Sequence, residues 1–188
     1  MAADDHTAPQ AGADDYSAPL DLFTGCHDRI HSAMARLREL ADAQGAGAPT
    51  EAVRRFCVEV LEFFDTTVKA HHAEEERELW PLLKKATPDQ ENHETFQAIG
   101  KQLKHEHDQL ETLWGQIEPV LRKLARGKAA ALDATKVRAL ADMYDQHAQF
   151  EDAVVIPMAR YLLDPSEQAR LGMSIALRRM PASLRAYI

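Results

Sequence analysis

Four long stretches of this chain place apolar residues at alternating steps of three and four, the spacing that returns one face of an α-helix at every turn. In the first, Leu20, Phe23, His27, Ile30, Met34 and Leu37 share a seam. In the second, from about 51 to 85, the seam is Cys57, Leu61, Phe64, Val68, His71, Glu75 and Leu82. The third carries Phe96, Gly100, Leu103, His107, Leu110, Trp114, Ile117, Leu121 and Leu124. The fourth, with Asp133 as its N-cap, carries Val137, Leu140, Tyr144, His147, Glu151, Val154 and Met158. Four long helices with short connections predict an all-α fold, an antiparallel up-down-up-down four-helix bundle. No stretch carries the signals of a strand.

The punctuation supports these limits. The breaker-rich DAQGAGAPT of 42–50 separates the first two helices, and TPD at 87–89 separates the second from the third. Thr87, Pro88 and Gln90 read as an N-cap, an N1 proline and the N3 partner of a capping box. The third helix is expected to end near Gly127. Asp164, Pro165 and Glu167 repeat the cap pattern, which predicts a shorter helix over 165–179 with Leu171 and Ile175 inward. Residues 1–18, rich in Ala, Asp, Pro and Gly, lack the apolar surface to offset their ordering entropy and are expected to form a disordered tail, His6 included. The resulting division is a tail at 1–18, a bundle at 19–163, and a C-terminal helix and tail at 164–188. That last segment is expected to pack on the bundle or to form a contact between copies in a homo-oligomer.

The bulk numbers exclude several partners. A net charge of -8 with scattered basic residues argues against nucleic acid and against an anionic membrane surface. The chain has no apolar run long enough to span a bilayer, and its start is neither basic nor apolar, so the cytoplasm is the expected location. Cys26 and Cys57 are too far apart in sequence to suggest a thiolate metal site, and read as buried apolar groups.

Polar residues on the seams are the anomaly. HHAEEERELWP at 71–81 and HAQFEDAVVIP at 147–157 each hold a His, a Glu four residues on and a Pro six beyond that, related by one ungapped offset of 76 residues. CHDRI at 26–30 and EHDQL at 106–110 echo one another at an offset of 80. The chain therefore reads as two helical hairpins related by an approximate twofold axis. Seven and three residues before His71 stand Phe64 and Val68, whereas the same steps from His72 reach Asp65 and Lys69. On a regular helix, His71 and Glu75 then face the core, while His72 and Glu76 look mostly at solvent.

Six polar side chains thus converge from four helices: His27, His71, Glu75, His107, His147 and Glu151. Two buried carboxylates without compensation would each cost several kcal/mol, on the order of the penalty for any unpaired interior ion. No Lys or Arg shares these seams. A divalent metal supplies the missing positive charge, and six N and O donors without thiolate exceed a four-ligand structural zinc. They suit two ions of near-octahedral preference, with iron or manganese first.

These segments resemble the hemerythrin-like, or HHE cation-binding, domains. HHAEEERELWP and HAQFEDAVVIP look like the family's two His-x3-Glu motifs, and CHDRI and EHDQL look like its lone-histidine segments, together covering roughly 20–163. The resemblance implies an oxo- or hydroxo-bridged di-iron centre, with manganese or zinc as substitutes. It implies His27, His71, His107 and His147 as terminal ligands and Glu75 and Glu151 as bridges. The invertebrate oxygen carriers place a second histidine four residues before His107, where this chain has Leu103, so the resemblance points to the six-ligand branch. The function expected is binding or sensing of dioxygen, nitric oxide or a related small oxidant such as peroxide. The alternative is a di-iron enzyme that reduces peroxide or oxidises iron in stress defence. No catalytic residue is assigned. His31 and Glu111 read as boundary groups beside the ligands, and Tyr144 as a core tyrosine near the open position. His93 and His105 read as solvated.

Overall fold

The computed structural model describes residues 18–43, 45–87 and 90–179, and every regular element among them is helical. Five helices make up the described chain: α1 (Pro19–Ala43), α2 (51–86), α3 (Gln90–Ala125), α4 (134–162) and α5 (Pro165–Arg179). Residues 1–17 of the expected tail fall outside the described residues, as do Pro88 and the side chain of Gln90 in the capping box expected before α3. The caps expected at Asp133 and Asp164 form, and Thr50 adds one not expected. Asp133 accepts from the amides of Thr135 and Lys136, and Thr50 accepts from Val53 N–H at 3.3 Å. Asp164 and Glu167 bond reciprocally, at 2.8 and 3.1 Å. Gly127, at φ 72°, closes α3 in the left-handed conformation that lets Lys128 N–H reach back to Lys123 O.

α1 packs on α4, α2 on α3, and α3 on α4, while α5 lies against α1 and the Glu75–Leu79 turn of α2. The buried apolar side chains form two separate clusters. One contains Ile30, Met34, Phe64, Val68, Leu110 and Tyr144 among others; the second contains Phe23, Leu79, Leu103 and Val155, closed by Leu171 and Ile175 of α5. Each of the first four helices crosses from one cluster to the other, and at each crossing stands a seam histidine. His27 lies between Phe23 and Ile30, His71 between Val68 and Leu79, His107 between Leu103 and Leu110, and His147 between Tyr144 and Val155. A buried polar layer therefore divides the core in two at a single level.

Neither α2 nor α4 is a regular α-helix throughout. Both widen into π-helical turns, at Phe63–Val68, Glu75–Leu79 and Glu151–Val155. Prolines explain two of these. Pro81 and Pro157 lack an N–H and crowd the carbonyl four residues back, so the ladder before them relaxes to i→i−5 bonds, Trp80 N–H to Glu75 O and Ile156 N–H to Glu151 O. In the first, the Thr66 hydroxyl takes the Glu62 carbonyl at 2.7 Å, and Lys69 N–H passes over to Phe64 O.

The wider π turns displace the buried seam toward the C-terminus of each helix. The buried residues after the glutamates are Leu83, Val155 and Ala159, where regular periodicity predicts Leu82, Val154 and Met158. The same effect corrects the expectation for His72. After the π turn at Phe63–Val68, the inward direction falls between positions 71 and 72, and both imidazoles are buried, at 0% and 5% exposure.

Candidate metal centre

The six seam residues of the sequence reading meet in the polar layer, all of them at most 3% exposed. Their arrangement follows the twofold repeat. His71 Nε2 lies 3.2 Å from Glu75 Oε1, and His147 Nε2 lies 3.5 Å from Glu151 Oε2. Across helices, His27 Nε2 approaches Glu151 Oε2 at 3.1 Å and His107 Nε2 approaches Glu75 Oε2 at 3.3 Å. Each carboxylate thus sits between two imidazoles.

Behind the imidazoles stand three further carboxylates, one of which, Glu76, expected to look mostly at solvent, instead bonds a buried imidazole. His27 Nδ1 donates to Asp152 at 2.8 Å, His107 Nδ1 to Glu76 at 3.0 Å, and His147 Nδ1 to Glu106 at 2.9 Å. Such partners fix the tautomer and turn the Nε2 lone pair inward. The signal for two of them was available, because Glu76 and Asp152 each follow a seam glutamate and are separated by the same offset of 76 residues. With both Nδ1 protons committed outward, His107 and His147 present Nε2 lone pairs to each other across 3.1 Å.

The electrostatics are those of a site short of positive charge. Burial pushes the Glu75 carboxyl well above the usual range, and the neighbouring Glu151 adds to the effect. Burial also acts on Glu151, but His27, His147 and His107 outweigh it and hold that carboxyl down. Burial lowers His27 less than Glu151, Glu75 and Asp152 raise it, and its pKa ends at about 9. His71 and His72 are held well below their usual value by burial and by the other imidazoles, and burial lowers His147. One imidazolium therefore faces two carboxylates. Glu75 Oε2, both Glu151 oxygens and the Nε2 atoms of His27, His71 and His72 are buried without a hydrogen-bond partner, a condition rare in folded proteins.

These donors fit a cation. His27, His71, Glu75 and Glu151 each bring one ligand atom within 4.8 Å of the others, and so do Glu75, His107, His147 and Glu151. The two groups share both glutamates. His72 joins His107 and His147 in a third group at the same limit.

A family model, the hemerythrin HHE cation binding domain, matches residues 18–159. The chain belongs to that family. An uncharacterised protein of Haemophilus influenzae is 23% identical to this hemerythrin-family chain over 164 residues, 87% of this chain and 91% of its own. Family membership and the buried His/Glu groups together mark a metal-binding protein, with iron the family's usual ion.

The remaining candidates sit outside the layer. His31, 39% exposed, bonds Asp145 at 2.7 Å and belongs to the boundary. Glu111 and His105 are exposed. Tyr144 is buried among Phe64 and His72, and burial raises its hydroxyl above the usual range. Glu74, 1% exposed, faces away from the six and is held by Arg179 of α5 at 2.7 and 2.9 Å. No helix among the described residues is long and apolar enough to cross a membrane.

Proposed function

We propose that the hemerythrin domain is an antiparallel up-down-up-down bundle, extended by a C-terminal helix, that holds two iron ions and takes up dioxygen, nitric oxide or a related small oxidant. The observation that carries this reading is the pair of buried glutamates whose oxygens lack partners and whose nearest neighbours are inward-facing imidazole nitrogens. Glu75 and Glu151 would bridge the ions. His27 and His71 would hold one ion, His107 and His147 the other. When bound, iron supplies a redox-active Lewis acid between the carboxylates.

The chain's own groups prepare that site. Asp152, Glu76 and Glu106 anchor the outer nitrogens of three ligands, so the imidazoles do not reorient when an ion enters or leaves. The apolar clusters on either side keep bulk water out of the layer. His27 gives up its second proton on binding, so uptake of metal releases a proton below its pKa of about 9.

Elemental analysis with an optical spectrum is the test. Protein purified without chelator, or reconstituted anaerobically with ferrous iron, should hold two irons per chain and develop a near-ultraviolet charge-transfer band in air. Glu75→Ala should abolish uptake. A chain that takes up no iron under either condition overturns the proposal. A stable adduct with a small oxidant, against turnover of added peroxide, separates binding from catalysis.

A further inference from the structure

We propose that His72 is a hydrogen-bond partner for a small anionic or oxygen-ended molecule taken up at the His107/His147 side of the centre, and is not itself a metal ligand. The inference rests on the di-iron reading above.

His72 belongs to the polar layer. It is 5% exposed, its Nε2 has no partner, and one of its ring nitrogens lies within 4.8 Å of a nitrogen of both His107 and His147. A buried N–H or lone pair left unmatched is costly, and neither Tyr144, whose ring centroid lies 6.1 Å away, nor any other side chain of the flanking clusters bonds His72 Nε2. Ligation does not resolve the problem. The His72 ring stacks on His107 with centroids 4.0 Å apart and planes at 5°. An imidazole lone pair lies in its ring plane, and one ion cannot lie in two parallel planes a stacking distance apart. His107, with Nδ1 bonded to Glu76, is the member of the pair already aimed at the carboxylates.

Packing alone does not explain an imidazole here either. The offset that carries His71 onto His147 and Glu75 onto Glu151 carries His72 onto Ala148, buried at 1%. A methyl group fills that position in one half of the molecule, and a polar ring fills it in the other. The imidazole therefore places hydrogen-bonding capacity on one side of the centre with no counterpart on the other, next to the nitrogens of His107 and His147. A neutral imidazole carries one N–H and one lone pair, so it can donate to an anion or to the outer atom of a bound diatomic.

Azide is the probe. Iron-loaded wild type, His72→Phe and His72→Gln are titrated with azide, with iron content measured in parallel. Phe keeps an aromatic ring to stack on His107 and removes the polar nitrogens; Gln keeps a donor. The expected result is two irons in all three proteins and azide affinity lowered about ten- to hundred-fold in His72→Phe. Most of that affinity returns in His72→Gln, and the azide stretching frequency shifts only in the Phe variant. Equal azide affinity and frequency in wild type and His72→Phe overturn the inference, and so does a variant that loses an iron, which would make His72 a ligand. If His72→Phe does not fold, the Gln variant decides: azide affinity close to wild type supports the donor role, and a loss as large as the one forecast for Phe refutes it. Wild type that holds iron but binds no azide refutes this inference alone, whereas wild type that holds no iron refutes the di-iron reading.

Discussion

Replacing Glu75 by Gln should make the metal-free domain more stable and the iron-loaded domain less so. In the metal-free site, Glu151 is ionised and matched by the His27 imidazolium, and Glu75 is the surplus anion. Its folded pKa lies above the ordinary 4.5, so its contribution is fully present only below pH 4.5 and is lost as the pH rises. The penalty has a ceiling, because the carboxyl takes a proton once ionisation becomes too costly. At pH 7, protonating a group of ordinary pKa 4.5 costs about 3 kcal/mol at 1.36 kcal/mol per unit, and the ceiling falls by about 1.4 kcal/mol with each unit of pH. Gln avoids this term, and its amide can donate to His107 Nε2, now 3.3 Å from Glu75 Oε2. Urea denaturation of chelator-treated proteins should show the variant ahead by up to about 3 kcal/mol at pH 7, with the advantage fading towards pH 5. Adding ferrous iron anaerobically should reverse the order. Glu151→Gln is the contrasting control, because it removes the carboxylate 3.1 Å from His27 Nε2 and leaves Glu75 as the remaining buried anion, so its gain should fall short of that of Glu75→Gln. A metal-free Glu75→Gln protein weaker than wild type at pH 7 would refute the reasoning, since the carboxylate would then be satisfied by the protein alone.

Four further outcomes follow from the same geometry. Glu106→Ala, which removes the acceptor 2.9 Å behind His147, should weaken metal binding by about ten- to hundred-fold in a competition titration without removing a ligand. Arg179→Ala leaves the buried Glu74 carboxylate unpaired and should cost about 3–5 kcal/mol in urea, whereas Glu74→Leu combined with Arg179→Met should recover most of the loss. Cys26 and Cys57, pushed by burial to about 12 and about 11, should resist alkylation at pH 8 until the chain unfolds. The first equivalent of metal should occupy the His107/His147 side, so that a titration of His147→Ala loses its tight phase while His71→Ala keeps it.

Much of the fold was legible because burial follows helical periodicity closely where helices are regular. Ile30, Met34, Leu110, Trp114, Val137 and Leu140 all lie in the core that the seams describe, and the caps at Asp133 and Asp164 formed as the sequence dictates. The six polar candidates were found because a buried Glu without a cation on its seam has few explanations. Legibility failed at the π turns. Periodicity counts 100° per residue, and an inserted residue breaks the count without changing the composition of the seam, so the pattern points to Leu82 where Leu83 is buried and turns a buried His72 to solvent. Pro81 and Pro157 carried the necessary signal, a proline inside a helix that does not stop. Thr66 carried a weaker one. The outward acceptors Glu76, Glu106 and Asp152 were hidden for another reason: partly exposed, they look like ordinary solvated charge until the imidazole behind which they stand is located.

The departures from twofold symmetry fall on one side of the centre. His107 and His147 each have a carboxylate on Nδ1, whereas of His27 and His71 only His27 does, and His71 Nδ1 is buried without a partner. The offset of 80 residues explains the gap, for Cys26 stands where the other half has Glu106, and a buried thiol cannot do the work of a carboxylate. His72, with no counterpart but Ala148, lies on the better-supported side. An outer carboxylate raises the basicity of its imidazole, so an ion held by His107 and His147 would be bound more tightly than one held by His27 and His71. The same side carries His72, whose Nε2 also lacks a partner. A duplicated hairpin would by itself build two equivalent positions, and two differences between the halves, Cys26 against Glu106 and His72 against Ala148, would suffice to make one the anchored position beside which an incoming small molecule meets a donor.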